Sequence, residues 1–153
     1  MSRVYLVRHA IAEDRERWTA PDSERPLTAA GSVQAEKLAE HFGGEGIGSV
    51  LSSPSVRCVQ TVQPLATRLG LPVTAAQILA EGSAPDAALQ FLARAEAKAL
   101  AACTHGDVIQ GLLWLLERDG VLSERDIKLK KGSTWLMRID TGRVRSAKYI
   151  PPP

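Results

Sequence analysis

Cysteine is scarce in this sequence of 153 residues, which contains only Cys58 and Cys103. The two are far apart and form no CxxC pair, so the sequence indicates neither a disulfide scaffold nor a zinc ribbon. Long apolar runs are missing as well: residues 4–7 are too few for the core of a signal peptide, and charged residues interrupt the tract at 89–103. We therefore expect a cytoplasmic protein with no membrane partner.

A strong excess of charge of one sign is also lacking. The chain has 19 Lys and Arg against 17 Asp and Glu, which gives a formal net charge of +2. Proteins that neutralise a nucleic-acid backbone carry a larger basic excess, so we expect no nucleic-acid partner, whereas a small anionic substrate is compatible. An apolar content of 44% over this length predicts one globular domain, residues 1–153.

Short apolar runs alternate with stretches of helical period. The runs at 4–7, 47–51 and 99–103 are typical of strands buried on both faces of a parallel sheet. The period predicts four helices: one between Thr28 and Gly43, one capped by Ser53 with Pro54 at its first position, one from near Pro85, and one from Gly106 to about Asp119.

Two further segments, 134–139 and 144–150, flank a turn that contains glycine and predict a β-hairpin. The whole order predicts an α/β fold with three layers, α/β/α, and a mostly parallel sheet that ends in an antiparallel C-terminal hairpin. The long polar segment 10–26 has no clear period, so we expect a loop beside the carboxyl end of the first strand.

Polar residues of an unusual kind follow three of the predicted strands. Arg8 and His9 follow the first strand, Arg57 lies shortly after the second, and His105 follows the third. Ligands of open α/β sheets bind outside the carboxyl ends of the strands, so we expect these four side chains to share one crevice. Arg57 falls in the first turn of a predicted helix, where a cation opposes the helix dipole. An anion bound by both the guanidinium group and the helix N-terminus explains this placement.

The constellation favours phosphoryl transfer through a histidine. Positive neighbours favour the neutral imidazole of His9, which is the form that a nucleophile needs. Two arginines and a second histidine are suited to the charge on a phosphoryl group in transfer. Glu81 follows the apolar pair 78–79, and at the end of a strand it would serve as general acid. Adjacent arginines repel divalent cations, so we expect neither a metal nor a cofactor.

Four stretches of the sequence resemble the histidine phosphatase superfamily, which is also called phosphoglycerate mutase-like. They are Arg8-His9-Ala10, residues 52–61 around Arg57, Glu81, and Thr104-His105-Gly106-Asp107. Residues 25–31 are similar to the compact SixA-type members, which act as protein phosphohistidine phosphatases. Residues 57–62, with Lys131-Gly132-Ser133 and Trp135, also resemble the phosphatase domain that some actinobacterial proteins carry behind a Nudix domain.

This resemblance implies a role for each matching residue. His9 is the nucleophile, and Arg8, Arg57 and His105 bind the phosphoryl group. Glu81 is the proton donor. The family resemblance thus implies a hydrolase that needs no metal.

Two positions leave alternatives open. Glu13 and Asp14 lie on a loop that could reach the same crevice, so either is an alternative proton donor to Glu81. Ala10 stands where the usual family motif has glycine. Alanine is strained there if the position needs a positive φ, and it suffices if only its carbonyl is needed to fix the tautomer of His9.

The substrate class is open between three hypotheses. The loop after Glu81 is short, so only 10–26 is long enough to act as a lid, and an open crevice favours a phosphohistidine protein as substrate. The alternatives are a small phosphate ester, such as a nucleotide or sugar phosphate, and a phosphate-binding module without turnover. The sequence sets no oligomeric state.

Overall fold

The computed structural model describes the backbone of residues 1–153 and every side chain except that of Glu124. Within this range the chain forms six strands and four α-helices. In chain order they are β1 (Ser2–Arg8), α1 (Ala29–Phe42), β2 (Ser49–Ser52), α2 (Val56–Leu69), β3 (Val73–Ala75), α3 (Pro85–Ala93), β4 (Ala99–Thr104), α4 (Gly106–Arg118), β5 (Thr134–Asp140) and β6 (Arg143–Ile150).

All six strands belong to one sheet, in the order β3-β2-β4-β1-β5-β6. The first four of these are parallel to one another, whereas β5 pairs antiparallel with both β1 and β6. The structure therefore confirms the predicted α/β class and the antiparallel C-terminal hairpin. It also places β1 and β4 at the centre, where both of their faces are covered.

Side chains alternate between the two faces of β1. Val4 and Leu6 pack in a core with the apolar faces of α3 and α4, and Tyr5 and Val7 pack in a second core with α1 and α2. Because helices cover both faces, the sheet is the middle of three layers, and the polar residues that follow β1 and β4 emerge at its edge rather than in either core.

The start of the second predicted helix was wrong. Helix α2 does not begin with Ser53 as its cap; its N-cap is Ser55, whose carbonyl accepts from the N–H of Val59 at 3.1 Å. The hydroxyl of Ser53 instead lies 2.8 Å from His105. The hydroxyl of Ser53 therefore pairs with a residue distant in sequence and does not cap the helix as the local pattern predicted.

The apolar pair 78–79 is not a strand either. Residues Gln77–Leu79 form a 3-10 turn, and the strand in this region is β3, which the sequence analysis missed. Leu79 is fully buried, and its carbonyl accepts from the hydroxyl of Thr104 at 2.6 Å. This contact ties the turn to the end of β4. Glu81 therefore follows a turn, yet it still lies at the carboxyl edge of the sheet.

The predicted loop at 10–26 is tied down at both ends. Ala12 forms an isolated antiparallel bridge with Leu27, and the N–H of Thr28 donates to the carbonyl of Ile11 at 3.0 Å. Asp22–Glu24 forms a single 3-10 turn within it. The loop is thus an ordered strap beside the end of β1. No described helix is both long enough and apolar enough to cross a membrane.

Candidate active site

The four basic residues singled out in the sequence meet at the carboxyl edge of the sheet. Arg8 ends β1 and His9 follows it, Arg57 lies in the first turn of α2, and His105 is the N-cap of α4. The rings of His9 and His105 meet edge to face with their centroids 5.6 Å apart. Parallel strands end at one edge, and this topology gathers residues that are up to 97 positions apart in the sequence.

Arg8, His9 and His105 border a cleft of about 780 Å³, and Arg57 lies fully buried beside His105. The cleft has a mixed lining of basic and acidic side chains: Arg8, His9, Ala12, Glu13, Asp14, Arg15, Glu16, Arg25, Glu81, His105, Gly106, Asp107, Gln110, Leu129 and Lys131. Its volume is several times that of one phosphoryl group, so part of a substrate beyond the phosphoryl group also fits.

The orientation of His9 is set by a single hydrogen bond. Its Nδ1 lies 2.8 Å from the carbonyl oxygen of Ala10. A carbonyl only accepts, so Nδ1 carries the proton and the lone pair is on Nε2. The N–H of Ala10 in turn donates to the hydroxyl of Thr61 at 3.0 Å, and that hydroxyl donates to the carbonyl of Arg57 at 2.7 Å. One chain of hydrogen bonds thus joins His9, at the end of β1, to Arg57 in α2.

This geometry settles the question about Ala10. Thr141 is the non-glycine residue with a positive φ, so Ala10 is not in the left-handed region, and alanine is unstrained there. Its carbonyl accepts the hydrogen bond that fixes the tautomer of His9.

His9 is held in its neutral form. Burial, together with nearby positive charge, chiefly that of Arg57, lowers the pKa of His9 from 6.5 to about 3, although the Ala10 carbonyl acts in the opposite direction. The side chain is only 6% exposed. At neutral pH this imidazole therefore presents an unprotonated Nε2 close to several cations.

Arg57 is fully buried and is contacted by two carboxylates. Its Nη1 donates to the carbonyl of Asp22 at 2.9 Å, and its Nη2 lies 3.1 Å from Asp22 Oδ2 and 3.4 Å from Glu81 Oε2. Burial raises the pKa of Asp22, but the hydrogen bond from Arg25 and the charges of Arg57, Arg25 and Arg15 lower it overall. Asp22 therefore stays ionised and fastens the strap to α2.

Arg8 is held from the opposite side of the cleft. Its Nη1 donates to the carbonyl of Leu129, and its own carbonyl accepts from the N–H of Gly132 at 3.2 Å. Burial lowers the pKa of Arg8. The Nε of Arg8 and the Nε of Arg57 are buried with no hydrogen-bond partner among the described residues. Such donors suit an anion that can accept several hydrogen bonds.

The three acids considered as proton donors all line the cleft, but only one of them contacts the basic residues. Glu81 accepts from Arg15 at 2.9 Å in addition to its contact with Arg57, and its side chain is 42% exposed. Glu13 and Asp14 are exposed on the strap. The geometry thus favours Glu81 over the other two.

Sequence reasoning missed three residues of this site: Asp22, Ser53 and Thr61. Asp22 and Ser53 contact Arg57 and His105 through tertiary hydrogen bonds, and Thr61 accepts from the N–H of Ala10, which follows His9. A sequence signal existed for Ser53 and Thr61, which lie in the stretch 52–61 that carried the resemblance. Asp22 had none, because it is one acid among several on an irregular segment.

Comparison with known proteins agrees with this arrangement. A model of the histidine phosphatase superfamily (branch 1) matches residues 4–88, which is more than half of the chain. This chain belongs to the histidine phosphatase superfamily. The match confirms the resemblance seen in the sequence, and it extends over β1, the strap, α1, β2 and α2.

Individual known proteins are similar to nearly all of this chain. The chain is 35% identical over 158 residues to the 8-oxo-(d)GTP phosphatase of Mycolicibacterium smegmatis, and the alignment covers 98% of this chain and 48% of that protein. This chain therefore spans about half the length of that relative. The SixA structure from Agrobacterium tumefaciens is 23% identical with a TM-score of 0.78, covering 99% of this chain and 98% of that one.

A second solved structure, the protein histidine phosphatase SixA in complex with tungstate, is 23% identical with a TM-score of 0.75. The superposition covers 97% of this chain and 94% of that one. At this identity the two SixA structures show a shared fold. Among the described residues of this histidine phosphatase, no three His, Cys, Asp or Glu side chains are grouped so that they could hold a metal ion.

The neutral state of His9 predicts how stability depends on pH. Unfolded His9 takes up a proton near pH 6.5, whereas the folded protein does so only near pH 3. Between these values the unfolded state binds more protons, so His9 reduces the free energy of unfolding by up to about 1.4 kcal/mol for each pH unit of acidification. We expect His9→Asn to lose this dependence, as measured by urea unfolding from pH 7 to pH 4.

The matched control is His41→Asn, which replaces an exposed histidine at the end of α1. It should keep the wild-type dependence of stability on pH over this range. Equal dependence in His9→Asn and the wild type would contradict a buried neutral His9.

Proposed function

We propose that this chain is a phosphatase that hydrolyses its substrate through a covalent phosphohistidine on His9, and that phosphohistidine protein is its substrate class. One observation carries the mechanism: the Nε2 of His9 is unprotonated and lies among Arg8, Arg57 and His105. A neutral nucleophile surrounded by cations is suited to attack on an anionic phosphorus centre, where anionic nucleophiles are repelled.

In the first step the Nε2 lone pair of His9 attacks phosphorus while the bond from phosphorus to the leaving atom breaks. Arg8, Arg57 and His105 stabilise the negative charge on the three equatorial oxygens. Glu81 gives its proton to the leaving atom, and the product departs in its protonated form. The proton stays on Nδ1 of His9, and its hydrogen bond to the Ala10 carbonyl stabilises the positive charge that the ring acquires.

In the second step water attacks the phosphorus of phosphohistidine, and the phosphorus–nitrogen bond breaks. The Glu81 carboxylate takes the proton from water, so inorganic phosphate leaves and the enzyme returns to its starting state. No metal takes part, because the arginines supply the positive charge that a metal would otherwise provide.

The form of the cleft supports a protein substrate. Its strap wall carries exposed side chains, including Glu13, Asp14, Arg15 and Glu16. This wall is exposed to solvent, so a side chain presented by another protein can reach it.

A small phosphate ester is the second candidate substrate, and a specific comparison favours it. The relative in Mycolicibacterium smegmatis is named an 8-oxo-(d)GTP phosphatase, and its similarity covers nearly all of this chain. The cleft volume of about 780 Å³ also accommodates a nucleotide. The relevant region of that protein is about half of its length, so its name does not decide the substrate here.

The substrate classes separate in a direct comparison. Wild-type enzyme is given phosphohistidine protein, nucleotides and sugar phosphates at matched concentration, and kcat/KM is measured from phosphate release. We expect the highest value for phosphohistidine protein, because the exposed strap wall of the cleft is accessible to a side chain presented by another protein. A higher value for a nucleotide would establish the small-molecule alternative.

Replacement of the nucleophile gives the decisive test of mechanism. His9→Ala should abolish turnover but retain vanadate binding, because Arg8, Arg57 and His105 still hold the anion. Rapid quench of the wild type with labelled substrate should trap a phosphoenzyme that is labile in acid and stable in base. Label on serine or aspartate would disprove the mechanism, and tight binding without hydrolysis of any aryl phosphate would establish a binding module.

The role of Glu81 is tested through the leaving group. Glu81→Gln should slow hydrolysis of alkyl phosphates by roughly 10²–10⁴-fold, because a poor leaving group needs the proton. Hydrolysis of an aryl phosphate with a stable leaving anion should slow much less. The matched variants are Glu13→Gln and Asp14→Asn, which should leave both rates near the wild-type values. Equal losses on both substrates for Glu81→Gln would transfer the role to one of these acids.

A further inference from the structure

His105 has two ring nitrogens in different surroundings. Nε2 lies 2.8 Å from the Oγ of Ser53, and Nδ1 lies 3.3 Å from the Nη2 of Arg57. Ser53 is fully buried and His105 is 2% exposed. One edge of the ring therefore faces a buried hydroxyl, and the other faces the guanidinium group that borders the phosphoryl site.

We propose that Ser53 is a positioning residue, whose hydroxyl holds Nε2 of His105 so that Nδ1 donates to the phosphoryl group. This inference rests on the proposed phosphatase function. The sequence analysis gave Ser53 only the role of a helix cap, which the structure assigns to Ser55 instead. Its action is indirect, because Ser53 contacts His105 and not the reacting atoms.

The donor and acceptor properties of the groups carry the argument. A guanidinium nitrogen only donates, so Nδ1 pairs with Arg57 only when Nδ1 has no proton. A phosphoryl oxygen only accepts, so it pairs with Nδ1 only when Nδ1 is protonated. His105 must therefore change its proton arrangement between these two partners while its ring stays in place.

A hydroxyl at Nε2 permits this change. The Oγ of Ser53 accepts from a protonated Nε2 and, after rotation of its hydrogen, donates to a bare one. The N–H of Ser55 donates to the same Oγ at 3.3 Å and so fixes its position. A carbonyl or a carboxylate in this place would hold Nε2 in the protonated form only. Serine is thus suited to a histidine that alternates between an arginine and an anion.

The other groups that face His105 do not replace Ser53. Cys58 Sγ, from α2, lies within hydrogen-bond distance of Nε2 at 3.5 Å, but a thiol is a weaker donor and acceptor than a hydroxyl. Arg57, also from α2, lies on the Nδ1 side, and His9, which follows β1, meets the ring edge to face. Asp107, in the first turn of α4, accepts from the N–H of Gly82 at 2.8 Å instead. Ser53 is therefore the main hydrogen-bond partner of Nε2.

The test uses nitrogen-15 NMR of the wild-type side chain of His105, with tungstate as the probe. We expect the free enzyme to carry the proton on Nε2, and we expect a proton on Nδ1 when tungstate binds. An unchanged proton arrangement on binding would overturn the proposal. This measurement needs neither turnover nor a mutant.

The kinetics of Ser53→Ala provide a second test of the proposal. Loss of the hydroxyl should reduce kcat by roughly 10²-fold through misplacement of His105, with little change in KM, and should shift the pH profile of kcat. Ser52→Ala is the matched control, since Ser52 is equally buried but its hydroxyl donates to the Ser53 carbonyl at 2.8 Å. It should keep the wild-type pH profile. Equal profiles in the two variants would overturn the role of Ser53.

The outcomes also separate this proposal from the proposed function. If the wild type forms no phosphoenzyme, the phosphatase mechanism itself fails. If the phosphoenzyme forms and Ser53→Ala behaves as Ser52→Ala does, only the role of Ser53 is wrong.

Discussion

The hydrogen bond from Nδ1 of His9 to the Ala10 carbonyl is the constraint on which the chemistry of this site depends. Nδ1 carries the proton in this hydrogen bond, so the free lone pair of the ring is on Nε2. The bond also fixes the direction in which that lone pair points. The surrounding cations have a useful effect only because of this bond. Without it they would keep the ring neutral but leave it free to turn either nitrogen toward the cleft.

The buried arginine of this site needs an anionic partner, and a carboxylate provides it. Arg57 is fully buried, and a buried guanidinium group with no anionic partner is unfavourable. Asp22 is the anionic partner and contacts it from the strap, and Glu81, the proposed proton donor, contacts the same nitrogen from the turn before α3. The arrangement stabilises Arg57 beside His105, which itself borders the cleft.

The sequence predicted the fold class and the meeting of Arg8, His9, Arg57 and His105, because both follow from one rule: parallel strands end at the same edge. It did not predict the short edge strand β3, which has only three residues and little burial. It placed the start of α2 too early and missed Asp22, because tertiary contacts decide both. The local sequence pattern predicts the buried strands and the polar residues that follow them. The hydrogen-bond partners of Ser53 and Asp22 lie on distant segments and cannot be predicted in this way.

The segment just before β5 is part of the site, although it follows His105 by more than 20 residues. The N–H of Gly132 donates to the carbonyls of both Arg8 and His9, and the Leu129 carbonyl accepts from the Arg8 side chain. Closing these contacts brings together positions more than 120 residues apart, which costs chain entropy until most of the sheet exists. The reactive centre therefore assembles late in folding, because β1 itself has its sheet partners only in β4 and β5.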